Sequence, residues 1–331
     1  MGYLSCLVWN SLPLLADHTA PATGTQTTDH QDASAVRKGA DQTLTLIREA
    51  SLALLKEGNA RYAQGKSKHP NQGADRRSVA VAEGQKPFAT VLACSDSRSP
   101  VEVLFDRGVG ELFVVRVAGN VADASQVATI EYGVEHLGTP LLVVLGHSGC
   151  GAVTAATKGG DLPGHLSVLI NRIKPAVAKA RAVGAGPDRI VAAAIQANVW
   201  QQIEDILSSS SIVREKVREG ALQIVGGIYD LEKGTVAWLG SHPTQDAVIV
   251  QAEEAEKTAE LARAAQAARE AAAEHPSDTP VVHEDIPEDA SQTEAPAHRP
   301  LPSFPSSLLP SKDVKARSRT KPQDTHSEPH H

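Results

Sequence analysis

The chain has 331 residues, room for about two domains, of which 41% are apolar and 21% charged, and no apolar run approaches the ~18 needed to span a bilayer. The formal net charge of −7 comes entirely from Ser241 to His331, where sixteen acidic residues face nine basic ones. Neither that balance nor an aromatic content of 3% suits phosphate binding or base stacking, so no nucleic acid is expected as partner, and no transmembrane segment.

Met1 to Ala16 is partly apolar, but it has no preceding Lys or Arg and no A-x-A cleavage pattern, which makes a poor signal peptide. A run rich in Thr, Ala and Asp follows to about Ala40. Residues 1–40 read as a disordered or targeting segment and linker; the compartment reads as cytoplasmic, with export to the periplasm as the alternative. Leu44, Ile47, Leu52, Leu54, Leu55 and Tyr62 predict an amphipathic helix stopped by Gly65. Phe88 to Ala93 is a short buried strand, and a helical turn follows Pro100. Leu112 to Val117 is a second strand, followed by a helix capped by Asp123 and closed at Gly138. Leu141 to Leu145 is a third strand, running through a Gly-rich turn into another helix. Ile190 to Arg218 is mostly helical, and LQIVGGIYD with TVAWLG makes a hairpin across Glu232 to Gly234.

Strands alternating with helices predict an α/β fold: a central, mostly parallel β-sheet flanked by helices, with disordered N- and C-terminal extensions. The ordered domain is expected over 41–240 and an acidic helical extension over 241–275. Ten of the twenty prolines fall between Pro276 and Pro329, so 276–331 reads as a disordered tail unable to bury enough apolar surface to offset its ordering entropy.

Two segments carry chemistry. ACSDSRSP places Cys94, Asp96 and Arg98 in C-x-D-x-R spacing, and GHSGCGA places His147 and Cys150 in H-x-x-C spacing. Each follows a strand, and in an open parallel sheet the carboxyl ends of the strands form the crevice where ligands bind. Two thiolates and an imidazole suit zinc by softness and leave one of four positions open, which is a catalytic arrangement. Asp96 stands close enough to Cys94 to reach that fourth position or to accept a hydrogen bond from water there, while Arg98 can clamp it in a bidentate pair.

ACSDSR and GHSGCG, with FVVRVAGN between them, resemble the β-class carbonic anhydrases over roughly Leu44 to Leu239. The resemblance implies a zinc enzyme that interconverts carbon dioxide and bicarbonate as a homodimer or higher even oligomer. By motif, Cys94, His147 and Cys150 bind Zn2+, with Asp96 and Arg98 as the catalytic dyad and Asp96 as fourth ligand in a closed state. Gln85, Phe113, Tyr132 and the Gly151 N–H contact substrate in this reading, and His136 is a proton relay. Members that close their own zinc carry Trp three residues before the first Cys; here that residue is Val91, which places the chain in the plant-like, non-allosteric subtype. RVAGN (Arg116 to Asn120) nonetheless departs from the plant-like RNIAN. Cys6 lies outside the match.

The chemistry implied is attack of zinc-bound hydroxide on CO₂, with Asp96 orienting the nucleophile. Two thiolate ligands make that water less acidic than at a three-histidine zinc. The rival readings are a CS₂ or COS hydrolase on the same scaffold, a non-catalytic zinc-binding protein, and a cysteine hydrolase using Cys150 and His147.

Overall fold

A computed structural model describes residues 29–160 and 162–274. The expectations for Cys6, for the apolar start and for the Pro-rich tail lie outside them. The chain opens with α1 (Asp29–Ala63) and α2 (Ala74–Glu83), then runs β1 (Ala89–Ala93), α3 (Val101–Leu104) and β2 (Leu112–Arg116). A 3₁₀ turn (Ala118–Asn120) leads to α4 (Ala124–Glu131), which continues as a π-helical turn (Tyr132–His136) before β3 (Leu141–His147). The helices α5 (Gly151–Lys158), α6 (Leu166–Ala182), α7 (Ile190–Ser209) and α8 (Ser211–Arg218) come next. The hairpin of β4 (Gln223–Tyr229) and β5 (Val236–Gly240) and the long α9 (Gln245–Glu274) close the described chain. Among the described residues no helix is long and apolar enough to cross a membrane.

The five strands lie in the order β2-β1-β3-β4-β5, the first four parallel and β5 antiparallel to β4. β1 and β3 are buried at every position, as their unbroken apolar runs require of strands covered on both faces. On one face Leu92, Val115, Leu142, Val144 and Ile224 pack with Val199, Ile203 and Ile206 of α7. On the other, Val91, Val143, Leu145 and Val225 meet Leu55 of α1 and Leu104 and Phe105 at the end of α3. Fully burying each large apolar side chain contributes about 1.5–3 kcal/mol, so truncating Leu92, fully buried at the sheet centre, would cost about 2–5 kcal/mol. Gly146 lets α7 lie close on β3, because a Cβ there would stand 2.8 Å from Val199 Cγ2.

The topology fixes where the site lies. From β1 the chain goes to β2 on one side, and from β3 to β4 on the other, so the carboxyl ends of the adjacent β1 and β3 form the crevice of an open α/β sheet.

The structure departs from the pattern reading at several elements. α1 begins at Asp29, inside the stretch expected as linker; nothing from Asp29 to Lys38 breaks a helix, however polar the run. α2 and α6 fall where periodicity singles out nothing: α2 buries no residue, and α6 carries Pro175 in its interior. The helix capped by Asp123 has the cap and its reciprocal Gln126, but widens into a π turn before Gly138.

Candidate metal centre

Cys94 is the first residue beyond β1 and is 5% exposed. Behind it the chain folds back on itself: the Ser99 N–H and Oγ both donate to the Asp96 carbonyl, at 3.0 and 3.1 Å. The Arg98 backbone N–H donates to Asp96 Oδ1 at 2.9 Å, and the Arg98 guanidinium donates through Nε to Oδ1 at 3.0 Å and through Nη2 to Oδ2 at 2.8 Å. The Arg98 hydrogen bond outweighs burial and holds the Asp96 carboxyl well below the usual carboxylate range.

His147 ends β3, almost fully buried. Its Nδ1 stands 2.9 Å from the Ser148 carbonyl; donating there places the ring proton on Nδ1 and leaves the Nε2 lone pair free. Gly149, at φ 63, takes the left-handed step that turns the chain from β3 toward α5. Cys150 sits at the N-cap of that helix, 1% exposed.

The Cys94 and Cys150 sulfurs and the His147 imidazole nitrogen lie within 4.8 Å of one another, all three residues buried. Of two thiols this close, one ionises and the other keeps the proton. Cys94 is lowered to about 4, first by the adjoining Cys150 thiol, with burial opposing and His147 and the Gly119 N–H helping; Cys94 in turn raises Cys150. Burial pulls His147 down, but the negative charge of the nearby Cys94 thiolate and the Ser148 carbonyl outweigh it and raise the ring. His147 Nε2 is buried without a hydrogen-bond partner and lies 3.9 Å from Asp96 Oδ2. An imidazole nitrogen stranded between two thiols is costly unless it binds something, and this donor set is what a soft-to-borderline cation takes.

A family model described as carbonic anhydrase matches residues 89–236. Carbonic anhydrase 2 of Mycobacterium tuberculosis H37Rv is 41% identical over 189 residues, spanning 56% of this chain and 89% of its own length. The chain belongs to the carbonic anhydrase family. A carbonic anhydrase of Mycolicibacterium smegmatis is 39% identical over 197 residues, 58% of this chain and 93% of its own. Among solved structures, the β-carbonic anhydrase CafA of Aspergillus fumigatus is 29% identical, with a TM-score of 0.49 over 61% of this chain and 97% of that one.

Within this carbonic anhydrase the residues expected at the site separate into two groups. Cys94, Asp96, Arg98, His147, Cys150 and Gly151 are together at the carboxyl ends of β1 and β3, and Gly151, at the first position of α5, has an N–H outside the helical ladder. The others lie elsewhere. Phe113 pairs in register with Thr90, four residues or about 13 Å of strand before Cys94. Gln85 is exposed ahead of β1, at the opposite end of the sheet. Phe113, Tyr132 and His136 form a row beside the edge strand β2, with ring centroids 5.8 and 5.1 Å apart.

Sequence reasoning passes over the residues that hold the ligand loop. Arg116, at the end of β2, donates through Nε to the Cys94 carbonyl at 3.0 Å and through Nη2 to the Asp96 carbonyl at 2.6 Å. The Gly119 N–H donates to Cys94 Sγ at 3.2 Å. RVAGN contains both, but the pattern does not show what either residue touches.

Proposed function

We propose that the chain catalyses reversible hydration of carbon dioxide to bicarbonate and a proton, at one zinc held by Cys94, His147 and Cys150. The observation that carries this reading is the buried, unpartnered His147 Nε2 between two thiols, beside a carboxylate locked by an arginine. Zinc, when bound, supplies the Lewis acidity that makes water a nucleophile near neutral pH.

The chain's own residues do the rest. Asp96, kept ionised by Arg98, is acceptor-only, so it takes a hydrogen bond from water at the site and turns the water's lone pair toward the carbon of CO₂. Arg98, its side chain 61% exposed, holds Asp96 in one orientation at the mouth of the site. The free Gly151 N–H at a helix start suits an oxygen of the bicarbonate product. The pairing of Asp96 with Arg98, together with Val91, supports the plant-like reading in which the fourth metal position stays available.

Gln85, Phe113, Tyr132 and His136 stand too far from Cys94 to serve the site of their own chain. Their assigned roles therefore require a second copy that brings its β2 edge to this crevice, which supports a homodimer or a higher even oligomer. Metal analysis combined with stopped-flow CO₂ hydration tests the proposal: about one zinc per chain and rapid turnover are expected, and a zinc-loaded protein unable to hydrate CO₂ would refute it.

A further inference from the structure

α7 is apolar along most of its inner face, yet it buries two amides one turn apart: Asn198 at 1% exposure and Gln202 at 0%. They are joined, Gln202 Nε2 donating to Asn198 Oδ1 at 3.1 Å. Asn198 Nδ2 donates to the Gly119 carbonyl at 2.8 Å, and Gln202 Oε1 accepts from the Ala122 N–H at 2.6 Å. The pair therefore grips both ends of the 119–122 turn. That turn needs gripping: Gly119 and Asn120 are consecutive left-handed residues, at φ 73 and 45, and Asn120 has a Cβ that disfavours the conformation. Nor is there space for a side chain at Gly119, where a Cβ would stand 2.7 Å from Ile173 Cδ1. What the held turn presents is the Gly119 N–H, 3.2 Å from Cys94 Sγ.

We infer that Asn198, backed by Gln202, is a positioning residue for the metal centre: it fixes the Gly119 N–H on the Cys94 sulfur and so tunes how strongly that thiolate donates to the metal. The inference rests on Cys94 being a metal ligand. A hydrogen bond to a ligating thiolate withdraws electron density from sulfur and fixes its direction. Groups acting on a metal ligand in this way commonly carry 10- to 100-fold in metal affinity.

The test uses the full chain loaded with zinc or with cadmium, with Asn198→Ala against Val199→Ala as the control for lost packing on the same helix. Asn198→Ala should lower zinc affinity, measured by competition with a chromophoric chelator, by about tenfold or more. It should also move the thiolate-to-cadmium charge-transfer absorption to longer wavelength, because a sulfur without its N–H donor gives up an electron more easily. Val199→Ala should leave both unchanged. Were Asn198→Ala not to fold, Asn198→Ser keeps a polar group in the buried layer but is too short to reach Gly119, and the same two shifts are expected of it. A folded Asn198 variant with wild-type affinity and band, or a Val199→Ala that shifts both equally, would overturn the inference. Wild-type protein that takes up zinc or cadmium without any thiolate charge transfer would overturn the ligand assignment, and this inference with it.

Discussion

Asp96 and Arg98 show how two residues of adjacent spacing acquire distinct tasks. Three hydrogen bonds from Arg98 leave Asp96 with a fixed charge and a fixed direction, and the guanidinium reaches this geometry because it lies only two residues along the same turn. Asp96→Asn keeps the shape and loses the charge. It should retain zinc while kcat/KM falls about 10²- to 10³-fold, which stopped-flow hydration with metal analysis measures. Cys150→Ser should behave differently, losing metal and turnover together, since a hydroxyl is a poor soft donor. Full zinc occupancy in that variant would count against the ligand set.

At the scale of elements, Asp106 ties α1 to the segment that follows it. Its side chain is fully buried; Oδ2 accepts from Arg61 Nε at 2.6 Å, and Oδ1 from the Lys68 and His69 N–H groups at 3.0 and 2.8 Å. Burial pushes this carboxyl up, but those N–H donors and Arg61 overcome it and leave it below the usual range. A depressed folded value means the unfolded chain binds the proton more readily. The contribution to stability is therefore complete above the unfolded value of about 3.9 and disappears as pH falls below it through the folded value. Urea unfolding should show Asp106→Ala less stable by about 3 kcal/mol at pH 7, a gap that narrows as the pH is taken below about 4. A gap independent of pH would refute the role of the charge. The first half of α9 is likewise attached, through the nearly fully buried Ile249 and through Arg218, whose Nε and Nη2 each stand 2.6 Å from a carboxylate oxygen of Glu253; Arg214 pairs with Glu256 beside them. From Lys257 to Ala271 the helix is exposed throughout, so its inner half packs and its outer half does not.

At the scale of the whole molecule, the tail beyond α9 is expected by composition to be dispensable. A chain ending at Glu274 should keep fold, zinc and turnover. A large loss of turnover with unchanged oligomeric state would show the tail acting at the site. Sedimentation should give at least a dimer, since Phe113 and Tyr132 are remote from their own Cys94; a monomer with full turnover would remove these residues from the substrate pocket.

The parallel sheet and the grouping of Cys94, His147 and Cys150 are both legible in the sequence alone. Both are local in origin: buried strands announce themselves as unbroken apolar runs, and C-x-D-x-R and H-x-x-C each keep their members within one turn of a strand end. The sequence did not show α6, because Pro175 and the glycines before it mask a helix that packing sustains. Nor could it show that Asn198 and Gln202 reach Gly119 and Ala122: on a helix, two amides four apart read as a polar face, and only the docking of α7 on the sheet turns that face inward. The separation of Gln85, Phe113 and Tyr132 from Cys94 belongs to the tertiary structure alone. Spacing along a chain does not say at which end of a strand a residue emerges, and a five-residue strand is long enough to put Gln85 and Cys94 at opposite ends of the sheet.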